Sequence, residues 1–388
     1  MATVVQKYGG SSVADVEKLG RVADKVVAAK KAGDSVVVVV SAMGKTTDQL
    51  LALAKQIDAN PPRRELDMLL TTGERVSMAL LAMAIQKRGL EAISFTGSQS
   101  GIITNDRHFD ARIIEVRPHR VEDELSRGKI VIVAGYQGMS YRREITTLGR
   151  GGSDTTAIAM AAALGAERAE IYSDVDGVYS ADPRVVPEAV HLPELTYEAM
   201  QEMAEVGAKV LNATAVEFAK RSRIAIHARS TFEPGRETVV RDRASGEPRS
   251  VVGQRGVVQL EVLGERAIAR ASSILGEAAV PTRDLDAAPR DGELRATMTV
   301  STALTPDWGA VRARLQAELG DGLSVSDPVG AASVVGVDPA HVASALEVGR
   351  DTSVAPLGVT ATGSRVSLLV PEAALDEVVR SLHRRFVG

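Results

Sequence analysis

An α/β domain with a mainly parallel sheet, followed by two small α+β units in tandem, is the fold class that the sequence predicts. Three observations predict it. From Thr3 to Phe232 short apolar strands alternate with helical stretches, the pattern of strand–helix–strand units and a parallel sheet. Within that region Ser35 to Ser41 is a continuous β-branched run, as in a strand buried on both faces, and Ile130 to Ala134 is another. After Phe232 the composition shifts, and shorter strands and helices recur in a weaker pattern.

In order, Thr3 to Lys7 reads as a strand. Val13 to Ala32 reads as a helix on the spacing of Val13, Val16, Leu19, Val22 and Val26. Helices follow at Thr46 to Ile57 and Glu65 to Arg88. Asp154 to Leu164 is an Ala-rich helix opened by a Gly-rich loop, Ala169 to Asp174 a strand, and Thr196 to Glu205 and Val210 to Arg221 helices. Glu233-Pro234-Gly235 and the polar stretch Arg241 to Arg249 punctuate the chain. Beyond them Val257 to Leu263, Thr297 to Ser301, Leu323 to Ser326, Ser333 to Val337 and Val366 to Val370 read as strands. Ile268 to Gly276, Trp308 to Leu319, Ala340 to Glu347 and Ala373 to Phe386 read as helices. The expected domains are residues 1–240, a linker at 241–256, and units at 257–330 and 331–388.

Composition narrows the function. The 388 residues allow two or three domains. Hydrophobic residues at 45% and charged residues at 25% are ordinary for a soluble protein. The 46 basic and 50 acidic residues leave a formal charge of −4, and no basic run suggests a nucleic-acid partner. The absence of cysteine excludes disulfides, thiolate nucleophiles and Cys-ligated metals. The start enters a strand pattern without a signal-peptide core, and the longest strongly apolar run, Val36 to Val40, is too short for a bilayer. A cytoplasmic protein with no membrane partner is the expectation.

Four clusters lie where strands end, which is where open α/β sheets bind ligands. The first is Lys7-Tyr8-Gly9-Gly10-Ser11-Ser12. A strand delivers a lysine, two glycines admit a close ligand, and small hydroxyls open a helix whose free N–H groups suit an anion. Alone it is equally a Gly-Gly turn with a solvated lysine. The second, Thr71-Thr72-Gly73-Glu74-Arg75, offers a carboxylate on a helix that could receive an ammonium group, or simply an exposed acid. The third is Thr147-Leu148-Gly149-Arg150-Gly151-Gly152-Ser153-Asp154-Thr155-Thr156. Three glycines surround an arginine at a helix start, where the planar guanidinium and the helix dipole both favour a carboxylate or phosphate. The fourth, Ser173 to Arg184, packs three acids, Tyr179 and an arginine into a loop with Asp-Gly and Asp-Pro turn signals. Lys209 could add a further phosphate contact.

Together these clusters resemble the amino-acid kinase superfamily and, within it, the aspartate kinases. The similarity runs nearly unbroken from Val4 to Phe232 and includes Val5 to Ser12, Val40 to Gly44, Gly97 to Gly101, Gly149 to Thr156 and Ser173 to Arg184. The resemblance implies a three-layer amino-acid-kinase sandwich followed by two ACT-like units. It implies transfer of the γ-phosphoryl group of ATP, with Mg2+, to the side-chain carboxylate of L-aspartate. Lys7 and Asp154 would be catalytic, Lys7 against the transferring group and Asp154 orienting it. Gly9, Gly10 and Ser11 would line the phosphates. Glu74 would take the substrate ammonium and Arg150 a carboxylate, with Ser41 and Ser153 helping to hold the substrate. Ser173, Asp174, Tyr179, Arg184 and Lys209 would surround ATP, which with water would hold most of the metal.

The match loosens in the C-terminal part. ACT units of this family bind lysine or threonine at an interface between subunits. The Asp-x-Pro-Gly loop usual after the first ACT strand is missing from Val262 to Ile268, and the usual Gln-Asn pair is missing from Pro281 to Ala288. Asn212 to Ala215 also lacks the proline or arginine common there. The expectation is a kinase with weakened lysine and threonine feedback, and a homodimer through its C-terminal units. Two alternatives share the resemblance: a kinase of another amino-acid carboxylate, and a regulatory paralogue with a retired kinase site.

Overall fold

The computed structural model describes residues 2–149, 151–233, 235–246, 248–278, 280–305 and 307–388. They form two compact units. The first comprises 1–178, 191–204 and 209–247, and the second 179–190, 205–208 and 248–388.

The first unit begins with β1 (Thr3–Tyr8), α1 (Val16–Lys31), β2 (Ser35–Val40), α2 (Thr46–Ile57), α3 (Arg63–Leu70), α4 (Thr72–Gln86) and β3 (Ala92–Phe95). Next come β4 (Ile102–Thr104), β5 (Ile113–Val116), α5 (His119–Ser126), β6 (Ile130–Ala134), β7 (Gln137–Ser140) and β8 (Ile145–Thr147). Then follow α6 (Gly152–Ala163), β9 (Arg168–Ser173), β10 (Val178–Tyr179), β11 (His191–Leu192), β12 (Glu194–Thr196), α7 (Tyr197–Glu205), α8 (Ala213–Ser222), β13 (Ala225–Ser230) and β14 (Glu237–Arg241), with Tyr179 and Glu205, the last residues of β10 and α7, counted in the second unit. The main sheet has the order β12-β14-β13-β9-β1-β2-β6-β3. Its ladders are parallel except that between β13 and β14. A smaller sheet has the order β5-β4-β7-β8.

The mainly parallel α/β fold agrees with the sequence, and the reasons are local. Val36 to Val40 are fully buried in β2, as a continuous apolar run requires. On one face, Leu19, Val22, Val26 and Val27 of α1 pack with Val36, Val38 and Val40 in a core shared with α4. α6 is buried from Gly152 to Ala161, and its small side chains let it lie close against the sheet. Because β1 has β2 and β6 on one side and β9 and β13 on the other, the order reverses between β1 and β9, the crevice where such sheets bind ligands.

Two departures from the expected helices bear on the site. The stretch from Val13 starts later, since residues Gly10–Val13 form a 3-10 turn and Asp15 caps α1 by accepting a 2.8 Å hydrogen bond from the Lys18 amide. Glu65 to Arg88 is two helices, broken at Thr71. There Thr71 and Thr72 donate their hydroxyls to the Met68 and Leu69 carbonyls, and Gln137 donates to the Thr71 carbonyl. Taken together, Arg63–Gln86 is long and apolar enough by composition to cross a bilayer. It nevertheless buries Asp67 and Glu74 within the fold.

The second unit contains β15 (Ser250–Leu263), α9 (Glu265–Glu277), β16 (Thr282–Arg290), β17 (Glu293–Ser301), α10 (Trp308–Leu319), β18 (Leu323–Val325), β19 (Val329–Val335), α11 (Val342–Asp351), β20 (Gly358–Ala361), β21 (Arg365–Pro371) and α12 (Leu375–Phe386). These strands make one seven-stranded sheet, β16-β17-β15-β19-β21-β20, with β18 also on β15. β15 opens at Ser250, inside the stretch read as linker. Its first half pairs with β19, its second half pairs with β17, and a bulge falls between Gln254 and Val257. The linker reading missed this because the strand's apolar residues are interrupted by Gly253, Gln254, Arg255 and Gly256. Two cores lie under the sheet. Val334, Val366 and Leu368 pack with α11 and α12, and Val258, Leu260 and Val300 with α9 and α10.

Candidate active site

Adjacent parallel strands bring the predicted groups together. The C-terminal ends of β9, β1, β2 and β6 lie side by side and carry Ser173, Lys7 to Gly10, Ser41 and Gly135. Lys7 leaves the end of β1 with its side chain 11% exposed, and its Nζ stands 2.6 Å from Oδ1 of Asp154 in the first turn of α6. A Cβ on Gly9 would sit 3.5 Å from that Nζ, and one on Gly10 would sit 2.9 Å from the Ala42 carbonyl oxygen. The Gly-Gly pair is thus a place where backbone must lie close to backbone and to the lysine. Ser11 faces solvent at the start of the 3-10 turn. Ser12, behind it, shares a 2.6 Å hydrogen bond with Thr231.

Glu74 enters from the first turn of α4. It is 3% exposed, and its Oε1 accepts a 3.1 Å hydrogen bond from the Ala42 amide, next to Ser41. Its Oε2 is buried without a hydrogen-bond partner. Burial pushes this carboxyl up to about 7, against smaller opposing effects of its own amide and that of Ala42. A buried carboxylate oxygen with no donor is costly unless a ligand supplies one, and a substrate ammonium would do so. Ser153 is buried with its Oγ against Gly135, where an added Cβ would lie only 2.7 Å away.

The remaining candidates are placed differently. Arg150 lies outside the described residues. Ser173 is half-buried, bonded to the backbone of Val175, while Asp174 and Lys209 are exposed. Tyr179 and Arg184 fall among the residues of the second unit, and Arg184 forms a 2.7 Å ion pair with the nearby Asp182. Among the described residues no three His, Cys, Asp or Glu side chains form a metal cluster.

Three features of this site could not be read from the sequence: the roles of Ala42 and Asn212, which stand in stretches already singled out, and the conformation of Tyr136. Ala42 acts only through its amide, which no side-chain motif reveals. Tyr136 holds a left-handed backbone, φ 67°, at the end of β6, and packs by Gly152. A bulky residue in that conformation marks local strain of the kind that collects at functional sites. Asn212 caps α8 through the amides of Thr214 and Ala215, and its side chain abuts Gly151. The unusual Asn212 stretch therefore supports the glycine loop directly.

A cationic group held at a switch point beside a glycine cradle, with a carboxylate awaiting a donor, suits phosphoryl transfer to a small amino acid. The sequence agrees with the geometry: residues 2–230 match the amino acid kinase family, and the chain belongs to that family. Within it, the chain is similar over its whole length to aspartokinases. That of Mycolicibacterium smegmatis is 43% identical over 405 residues, covering 100% of this chain and 96% of its own. That of Corynebacterium glutamicum is 42% identical over 409 residues, with the same coverage. The solved structure of E. coli aspartokinase III in complex with aspartate and ADP has a TM-score of 0.86 at 25% identity, covering 99% of this chain and 100% of that one.

The raised Glu74 carboxyl makes a stability prediction. Its folded value lies above its unfolded one, so its contribution is present at low pH and is lost as pH rises through about 7. Glu74→Gln should remove that loss. Relative to its own value at pH 5, the variant should gain roughly 2–3 kcal/mol over the native protein at pH 8. Urea unfolding of both proteins at the two pH values checks this, and parallel pH dependences would contradict it.

Proposed function

We propose that this protein transfers the γ-phosphoryl group of ATP to the side-chain carboxylate of L-aspartate, giving 4-phospho-L-aspartate and ADP. The observation that carries the reading is the partnerless oxygen of buried Glu74, whose other oxygen is held by the Ala42 amide just past β2, the strand next to the one that delivers Lys7 to Asp154. It asks for an ammonium group, which a free amino acid has and an acylated one lacks.

The chemistry needs little beyond alignment and charge neutralisation. The substrate carboxylate is ionised at neutral pH and is itself the nucleophile, so no strong general base is required. One of its oxygens forms a bond to the γ-phosphorus as the bond from that phosphorus to the bridging oxygen breaks, and ADP leaves with the electron pair. Lys7 neutralises charge on the transferring group, and Asp154 fixes where Lys7 points. The Gly9–Gly10 backbone and Ser11 line the phosphates. Glu74 takes the ammonium, Arg150 a carboxylate, and Ser41 and Ser153 complete the amino-acid site. Ser173, Asp174, Tyr179, Arg184 and Lys209 belong to the nucleotide side. Mg2+ would be brought in on the phosphates, held mainly by their oxygens and by water, and would supply charge neutralisation there.

Residues 1–240 are read as the catalytic domain, followed by ACT-like units at 257–330 and 331–388 that pair two copies into a homodimer, the stretch read as a linker at 241–256 ending in the first residues of β15. This reading rests on the family resemblance of those segments. The cytoplasm, where ATP and free aspartate meet, is its proposed place. Feedback by lysine and threonine is proposed to be weak, because the loop and amide pair that would cradle an effector are replaced at Val262 to Ile268 and Pro281 to Ala288.

Two measurements follow. With Mg-ATP, trapping the acyl phosphate as a hydroxamate should give signal with L-aspartate and little with L-glutamate or N-acetyl-L-aspartate. Equal signal from the acetylated substrate would remove Glu74 from its assigned role. In the same assay, lysine plus threonine at millimolar concentration should leave most activity intact; strong concerted inhibition would refute weak feedback.

A further inference from the structure

Asp67 is a fully buried carboxylate that the reaction itself does not use. It lies on α3 at 0% exposure, seven residues before Glu74. A buried charge is costly unless several donors meet it, and here they come from two other segments. Thr147, the last residue of β8, donates its hydroxyl to Oδ1 at 2.6 Å. The Phe109 amide donates across both oxygens at 3.1 and 3.2 Å, and His108 Nδ1 stands 2.7 Å from Oδ2.

What those segments lead to gives the carboxylate its meaning. Thr147 is followed by Leu148 and Gly149, the entry to the glycine loop that continues through Gly151, Gly152 and Ser153. The 105–112 turn is tied to the same strand, since the Ala111 amide donates to the Thr147 carbonyl at 2.8 Å. Phe109 is held at φ 71°, a strained conformation for an aromatic residue, directly over the Asp67 contact. The next residue, Asp110, leaves no room at Gly149, where a Cβ would come within 2.8 Å of its carboxylate. In the other direction α3 runs through Thr71 into α4 and Glu74, and Gln137 of β7 holds the Thr71 carbonyl at 3.1 Å. One carboxylate therefore clamps the helix leading to the ammonium acceptor to the strand leading to the glycine loop.

We propose that Asp67 is a positioning residue that sets the spacing between Glu74 and the described residues of the glycine loop, Gly149 and Gly151 to Ser153, and so the length of amino acid the site accepts. This rests on the assignment of Glu74 and that loop to the substrate. Aspartate and glutamate differ by one methylene, and discrimination at that level is only about 10–200-fold, so it depends on a spacing that cannot relax. The clamp supplies that rigidity through charge-assisted hydrogen bonds rather than through apolar packing, which tolerates rearrangement more readily.

The test compares the native enzyme with Asp67→Asn and with the gentler Thr147→Val and His108→Gln. For each variant, KM for aspartate and for ATP, kcat/KM for aspartate against glutamate, and the thermal midpoint are measured. The expectation is a KM for aspartate raised about tenfold or more, a KM for ATP within about twofold, and a clear fall in the aspartate-to-glutamate ratio, since small misplacements of a positioned substrate are costly. If Asp67→Asn does not fold, the other two carry the test. Unchanged selectivity, or KM values for both substrates rising together with loss of thermal stability, would overturn the proposal and leave Asp67 a structural acid. A native enzyme that makes no acyl phosphate from aspartate would instead refute the assignment on which the proposal rests.

Discussion

The 2.6 Å ion pair between Lys7 and Asp154 is the contact on which the catalytic unit turns. It joins residues 147 positions apart, and neither can take its place unless the sheet is complete. Lys7 is fixed because β1 sits between β2 and β9 with both ladders in register. Asp154 is fixed because α6, buried along ten consecutive residues, has no freedom to roll. With each side chain about nine-tenths buried, the pair has given up hydration that its mutual attraction only partly returns. Such pairs are poor devices for stability and good ones for placing a charge. Here the placed charge is an ammonium beside Gly9, at the crevice between β1 and β9, where an anionic ligand would meet it without further rearrangement.

Glu74 applies the same logic with the opposite outcome. Its carboxyl is left half-satisfied, with one oxygen on the Ala42 amide and the other bare. Were the site built for stability, a glutamine or an apolar residue would serve better, because an unpaired buried charge costs more than a missing one. The unfolded chain pays nothing for this residue, whereas the folded chain without ligand carries it partly protonated near neutrality. A cation placed at the bare oxygen would be attracted more strongly than by a solvated carboxylate, because the low-dielectric surroundings that destabilise Glu74 also weaken screening, and that attraction would offset part of the hydration the cation gives up.

How much of this was legible in the sequence follows from which groups act through side chains. Lys7, Glu74, Ser153 and Asp154 stand in dense words of glycine and charge, and the structure gathers them. The continuous valines of β2 and the isoleucines and valines of β6 announced buried parallel strands. The short strands β4, β7 and β8 did not appear, since three or four residues with glycine, serine and threonine carry no periodic signal. The break at Thr71 was hidden because Leu69 to Met78 keeps a helical pattern, and only hydroxyls bonding backward reveal it. Asp67 was passed over for a related reason: on α3, among Arg63, Arg64 and Glu65, it reads as one more surface charge. Its burial comes from residues 108, 109 and 147, which only the tertiary fold brings near it.

The second unit carries a polar cluster of its own, built differently from the surroundings of Glu74. On one face of the C-terminal sheet, Gln254 donates to Ser301 at 2.9 Å, Ser333 and Ser367 share a 2.8 Å hydrogen bond, and Arg365 pairs with Asp284 at 2.6 Å. Arg283 adds a 2.7 Å bond to Gln254. These are cross-strand contacts of polar groups with one another, of the kind that hold a sheet together. The cavity they line has a volume of about 10 Å³, the room of a single water at most. Asp284 stands within Pro281 to Ala288, and its carboxylate is engaged by Arg365 at 2.6 Å. A group placed between Asp284 and Arg365 would have to part that ion pair. At Glu74, by contrast, one carboxylate oxygen has no hydrogen-bond partner within the protein.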